Sequence, residues 1–138
     1  MHRVVNPWTW QDPLGFVQAH EVTGATHLLW CAGQASVDDN GQALHVGDMR
    51  AQAHQALDNL ERVLTDADLT LADVVRLNYY TTDVDAFFAA FESVVSRLTR
   101  AGCRPACTLL GVQRLAYPEL LVEMEATAVA RRSEPSLT

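Results

Sequence analysis

The sequence lacks features that would place it at a membrane or outside the cell. No apolar run reaches the roughly eighteen residues that a membrane-spanning helix requires. Residues 1–8 lack the basic head and the apolar middle of a signal peptide, which favours a cytoplasmic, reducing location. We therefore expect a globular cytoplasmic protein without a membrane partner.

Cysteine is scarce, and its spacing does not indicate metal binding. The chain has three cysteines, Cys31, Cys103 and Cys107, and no CxxC pair or nearby histidine pair accompanies them. In a reducing compartment we expect all three to be thiols. The sequence predicts no structural metal.

Basic residues are outnumbered by acidic ones. Lys and Arg total 10 against 17 Asp and Glu, which gives a formal net charge of −7. Nucleic-acid affinity depends mainly on Lys and Arg that neutralise phosphates, so this balance disfavours a nucleic-acid partner. The pair Arg131 and Arg132, near the C-terminal end, is a poor basic patch.

Length and composition indicate one domain. The 138 residues, 49% hydrophobic and 20% charged, can build one hydrophobic core and are too few for two domains of ordinary size. We assign residues 1–131 to a single domain and residues 132–138 to a flexible C-terminal tail.

The spacing of apolar and turn residues predicts the secondary structure. Asp48 and Asp83 are suited to cap two helices, and Gly102 to end the second. On the first helix, Gln52 is expected on the solvent-facing side. The strands on either side of the turn at residues 23–26 are expected to form a hairpin. The predicted strands cover residues 2–6, 16–22, 27–32, 74–81, 103–112 and 121–130, and the predicted helices begin at residues 49 and 84.

Two features outside the helices indicate close contacts. Trp8 and Trp10 need cover, and packing on the protein's own surface or on a neighbouring subunit is favoured over stacking on a ligand. Gly33 closes an apolar strand, which often marks a close approach of the backbone to a neighbouring chain or a ligand, although structure alone explains most such glycines.

Alternation along residues 121–130 gives the last strand two distinct faces. One face is apolar and the other carries Glu123 and Glu125 in mid-strand. The order of elements favours an α+β fold in which both helices cover one face of a mixed sheet. The other face is too apolar for water and too charged for a core, so we expect oligomerisation through it, with sites between chains.

Several motifs resemble those of the Rid family, also called YjgF-like, of reactive-intermediate deaminases. The resemblance runs from about residue 16 to residue 131. It implies a chorismate-mutase-like fold and a homotrimer around a central barrel, with one ligand site in each subunit cleft. The motifs are Ala32-Gly33-Gln34, Gln55-Ala56-Leu57-Asp58-Asn59-Leu60, residues 73–83, Arg104-Pro105-Ala106, Leu110-Gly111-Val112 and Val122-Glu123-Met124-Glu125-Ala126.

The resemblance also implies an activity and its residues. Active members hydrolyse enamines or imines, such as aminoacrylate, to a keto acid and ammonia without a cofactor. Their glutamate that positions water matches Glu123, whereas their arginine that clamps the substrate carboxylate matches Cys107. Phe16 stands where tyrosine is common, and Phe91 where some members have asparagine.

These departures define the candidate site and leave two functions open. Glu123 is the candidate general acid or base, and Phe16, Gly33, Phe91 and Cys107 are candidate binding residues. Cys107 is expected as a neutral thiol, and Glu125 in a structural role. The first hypothesis is an enzyme acting on an imine, enamine or related intermediate, and the alternative is a non-catalytic trimer that binds a small molecule. A ribonuclease is disfavoured by the charge.

Overall fold

The computed structural model describes residues 1–130, so Arg131 and the predicted tail at residues 132–138 lie outside the described residues. Two long helices and several short strands make up the fold. The strands are β1 (His2–Val5), β2 (Ala19–Val22), β3 (Leu28–Trp30), β4 (Gln34–Ala35), β5 (Val74–Thr81), β6 (Ala106–Gly111) and β7 (Val122–Val129), and the helices are α1 (Met49–Asp66) and α2 (Val84–Arg100).

The main sheet is mixed and is ordered β3-β7-β5-β6, with β4 also paired to β7. β5 runs parallel to β6 and antiparallel to β7. The even-numbered residues of β7 from Val122 to Ala128 are buried in a core shared with both helices, and the odd-numbered residues Glu123 and Glu125 face away from it. The predicted α+β fold, with two helices on one face of the sheet, is confirmed.

Capping residues define both helices. The side chain of Asp48 accepts a hydrogen bond from the Ala51 amide at 3.0 Å, and the side chain of Asp83 accepts one from the Ala86 amide at 3.0 Å. Gly102 follows α2 with φ of +74°, a conformation that glycine adopts without a steric cost. The caps predicted from the sequence are confirmed.

Gln52 and the predicted hairpin are two points where the sequence expectation is wrong. Gln52 is fully buried, donates to the Glu119 carbonyl at 2.9 Å and accepts from the Leu121 amide at 2.8 Å, so it fixes the chain before β7. β2 pairs with β1 in a separate two-stranded sheet, and β3 pairs with β7. The long alternating strand β7 supplies the pairing edge that β3 uses.

A polar cluster joins the two helices. Arg97 of α2 donates to Nδ1 of His54 at 3.2 Å and to the Asp58 carboxylate at 2.6 Å. Because arginine only donates, Nε2 of His54 carries the proton and donates to Oγ of Ser93 at 3.1 Å. Partial burial is the main cause that lowers the pKa of His54, and the positive charge of Arg97 is the second. The cluster holds α2, which carries Phe91, against α1.

Candidate active site

Glu123 lies against the backbone of Gly33. The register of β4 on β7 pairs Ala35 with Glu123, and a side chain at residue 33 would overlap the Glu123 carboxylate. The amide of Asn59 holds β4 in place by donating to the carbonyls of Ala35 at 2.8 Å and Val37 at 3.0 Å. The close approach at Gly33 is therefore to a carboxylate of the same chain, whereas the sequence suggested a neighbouring chain or a ligand.

Glu125, the neighbour of Glu123 on the same face, is held by hydrogen bonds. The Tyr80 hydroxyl donates to Oε1 of Glu125 at 2.5 Å, and the Asn78 amide donates to the same oxygen at 3.1 Å. Both hydrogen bonds lower the pKa of Glu125, and the bond from Tyr80 has the larger effect. A carboxylate stabilised as an anion in this way suits the structural role predicted for Glu125.

Cys107 lies on the helix-covered face of the sheet. On β6 it pairs with the fully buried Leu77 of β5, and its side chain packs against the core. Burial raises the pKa of the Cys107 thiol to about 11. The thiol is therefore neutral near pH 7, as expected from the sequence.

Phe91 and Phe16 lie on the same side of the sheet as Cys107. The Phe91 ring meets the ring of Tyr79 edge-on, with centroids 5.9 Å apart, and Tyr79 is the core-facing residue of β5 next to Leu77. Phe16 runs beside the open edge of β6, because the following residue, Val17, donates its amide to the Pro105 carbonyl at 3.1 Å. Together these residues give that side an aromatic, apolar surface.

Gly15 fixes the place of Phe16 over α2. A Cβ at Gly15 would lie 2.6 Å from Cγ1 of Val95, and the glycine has φ of +78°. Both observations require glycine, because a larger residue would be strained and would push the loop away from the helix. The loop that carries Phe16 is thus seated on α2, where Val95 lies one helical turn beyond Phe91.

The predicted site residues therefore form two groups within one chain. Glu123 and Gly33, which we call the glutamate half-site, lie on the strand face that the helices leave uncovered. Phe91 and Cys107 lie on the helix-covered side, and Phe16 lies beside the edge of β6 next to α2; we call these three residues the aromatic half-site. Because the sheet separates the two groups, one chain by itself does not bring them to a common ligand.

Arg104 does not replace the missing clamp. Its guanidinium donates to the Asp12 carboxylate at 3.0 Å and to the Phe16 carbonyl at 3.5 Å. These partners tie the loop of Phe16 to the start of β6. Arg104, the cation nearest to Cys107 in the sequence, therefore holds the Phe16 loop in place.

The family model described as Endoribonuclease L-PSP matches residues 13–130. Members of this family are also called Rid or YjgF-like proteins. The chain belongs to the Rid family.

Relatives and solved structures agree with the Rid assignment. A Rid family protein of unknown function, YyfB from Yersinia pestis, is similar with a TM-score of 0.84 and 39% identity over 94% of this chain and 98% of that one. The 2-iminobutanoate/2-iminopropanoate deaminase of Salmonella typhimurium is 30% identical over 75% of this chain and 80% of its own. The 3-aminoacrylate deaminase RutC of Acinetobacter baylyi is 29% identical over 77% and 82%. The family predicted from the motifs is confirmed.

In this Rid protein, the sequence indicates candidate site residues but does not reveal the residues that position them. Asn59 belongs to a quoted motif, yet only the structure shows that it holds β4 beneath Glu123. The sequence predicts that Tyr80 and Asn78 lie on a strand, but it does not indicate that both donate hydrogen bonds to Glu125. Among residues 1–130, no group of three or more His, Cys, Asp or Glu side chains could hold a metal ion, and no helix is long and apolar enough to span a membrane.

Proposed function

We propose that this Rid protein hydrolyses imines or enamines in sites that are shared between subunits of a homotrimer. The observation that carries the proposal is the division of the site into two half-sites on opposite sides of one sheet. A cyclic trimer repeats one heterologous contact, and in the proposed trimer this contact joins the glutamate half-site of each copy to the aromatic half-site of the next. Each trimer would then hold three equivalent sites.

The uncovered sheet face supports association through that face. Trp30 of β3 and Leu110 of β6 lie on it, and the Trp30 side chain is 73% exposed. Monomers rarely expose large apolar groups such as these on one face, and a second copy would cover them.

Glu123 is the group best placed to move protons in this site. In the proposed reaction, the oxygen of water attacks the imine carbon while the Glu123 carboxylate takes the water proton and the C=N electron pair goes to nitrogen. Glu123 then returns the proton to the nitrogen, which gives a carbinolamine. In a second transfer Glu123 moves the hydroxyl proton of the carbinolamine to the nitrogen, the O–H electron pair forms the C=O bond, and the C–N electron pair leaves with ammonia. The net change is one water consumed for each ammonia released, and it calls for no cofactor.

Binding without turnover is a second candidate because of Cys107. The family's arginine would fix a substrate carboxylate by two parallel hydrogen bonds, and a neutral thiol offers one weak donor. A cleft with aromatic walls and no such clamp could serve as a carrier or a regulatory site. The two candidates differ in whether ammonia is released.

Ribonuclease activity, which the family description names, has little support in the charge distribution. The formal net charge is −7. Several arginines are also engaged by carboxylates within 4 Å, which leaves less charge for phosphates. These pairs are Arg3 with Glu21, Arg62 with Asp39, Arg97 with Asp58 and Arg104 with Asp12.

The wild-type protein tests the proposal directly. Imines are generated in situ by an amino-acid or amine oxidase, and their loss is followed by semicarbazide trapping while ammonia is measured. We expect faster imine loss with the protein than without it, together with a sedimentation mass of three chains. A folded trimer that binds these imines and releases no additional ammonia would favour the binding protein, and a monomer would exclude the shared site.

A further inference from the structure

Two exposed aromatic rings contact the aromatic half-site from outside. The Trp10 ring meets Phe16 edge-on, with centroids 6.0 Å apart and planes at 79°, and the Phe88 ring meets Phe91 edge-on at 6.2 Å and 87°. Trp10 is 63% exposed and Phe88 is 56% exposed. Residues 1–130 therefore do not supply the cover that the sequence led us to expect for Trp10.

The two arginines that flank Cys107 are both engaged elsewhere. Arg104 precedes β6 and is paired with Asp12. Arg76, on the neighbouring strand β5, donates to Oγ1 of Thr108 at 2.6 Å, and Thr108 lies on the sheet face opposite to Cys107. A substrate carboxylate placed over Cys107 would lose its hydration and gain one weak donor, which is unfavourable.

We infer that the site prefers a neutral imine that carries an aromatic or bulky apolar substituent over a 2-imino acid. This inference rests on the proposed function and names its substrate class. The substituent would pack against Phe16 and Phe91 and be covered at the mouth by Trp10, in the edge-on and offset geometry that aromatic rings favour. Glu123 of the next copy would act on the C=N carbon and nitrogen as described above.

The chemistry of such a substrate indicates the reactions around it. Hydrolysis adds water across C=N and yields an aromatic aldehyde or ketone and ammonia, with no change in oxidation state. A neutral imine of this class forms when a primary amine loses two electrons and two protons to an oxidase and its acceptor. An amine-oxidising enzyme is therefore the class of reaction that would supply the substrate.

A comparison of four imines distinguishes the effect of substrate charge on the rate from the effect of substituent size. Those of pyruvate and phenylpyruvate carry a carboxylate, those of butanone and acetophenone are neutral, and each pair contrasts a small with an aromatic group. We expect kcat/KM for acetophenone imine to exceed that for pyruvate imine by about tenfold or more. If both carboxylate imines are hydrolysed faster than both neutral ones, the inference is wrong and imine hydrolysis stands. If none of the four is hydrolysed, imine hydrolysis itself fails.

Trp10→Ala tests the contact at the mouth of the site. We expect kcat/KM to fall about fivefold for the two aromatic imines and to stay within about twofold for butanone imine. Trp8→Ala is the matched control, because Trp8 lies in the same loop, is 57% exposed and has no ring contact among the described residues. Equal losses for all substrates, or the same loss in Trp8→Ala, would contradict the role of Trp10.

Discussion

Glu123→Gln is expected to lower kcat for imine hydrolysis by about a hundredfold or more. The substitution keeps the size of the side chain but removes the carboxylate that, in the proposed reaction, takes a proton from water. General acid–base catalysis of this kind typically contributes about 10²–10⁴-fold. The close packing of Glu123 on Gly33 leaves room for an amide of the same shape. Steady-state rates on the best imine, with KM little changed, would measure the effect.

Glu125→Gln is the matched control for this loss. It neutralises the neighbouring carboxylate on the same face of β7, and its amide oxygen can still accept from Tyr80 and Asn78. We expect its kcat to stay within about threefold of wild type, because Glu125 has no proton to transfer in the proposed reaction. A Glu123→Gln protein that is folded, trimeric and fully active would remove Glu123 from the mechanism.

Cys107→Arg is expected to raise kcat/KM for the imine of pyruvate by about a hundredfold. A guanidinium at this position would bind the substrate carboxylate by two charge-assisted hydrogen bonds. The same change should reduce activity on neutral aromatic imines, because it places a charge in the aromatic half-site. Kinetics on both imines test the two directions together.

We expect the higher kcat/KM of Cys107→Arg to come from the two parallel N–H donors of the guanidinium and not from its charge alone. Cys107→Lys is therefore the control, since lysine supplies a point charge without two parallel donors. Burial at this position is costly for either cation, so both variants should show a lower melting temperature. Two stable variants with unchanged preference would show that Cys107 does not determine the substrate.

The parts of the fold that followed from the sequence are those governed by local rules. Asp48 and Asp83 cap their helices because a short acidic side chain reaches the free amides of the first turn. β7 could be read from its alternation, since a strand with one core face shows a period of two. Each of these signals lies within a few residues of the feature that it predicts.

The parts that did not follow depend on partners distant in the chain. Gln52 was expected in solvent because it is polar, yet the carbonyl of Glu119 and the amide of Leu121 provide it with partners in the interior. The predicted hairpin was wrong because β3 pairs with β7, which lies about a hundred residues later in the chain. No local sequence pattern reveals this pairing. Long-range pairing, rather than propensity, determined both outcomes.

The candidate site shows the same division. Motif similarity identified Phe16, Gly33, Phe91, Cys107 and Glu123 as residues of one site. Only the strand register shows that Cys107 faces the helices with Leu77, whereas Glu123 faces away from them with Tyr80. The sequence alone does not show which face of the sheet each of these side chains occupies, because that depends on the strand register.

The proposed division of the site between subunits can be tested with mixed trimers. Glu123→Gln disables the glutamate half-site, and Phe16→Asp places a charge in the aromatic half-site. The two variants are co-expressed with different tags, and trimers that contain both are isolated by two affinity steps. In such a trimer, one of the three contacts joins an intact Glu123 to an intact Phe16 of the next copy.

The activity of these mixed trimers decides whether the site is shared. If the half-sites come from different copies, two nearly inactive proteins should give about one third of the wild-type kcat per trimer. If each site lies within one chain, every site in the mixed trimer carries a disabling substitution, and activity should stay at the level of the two parents. That second result would contradict the shared site.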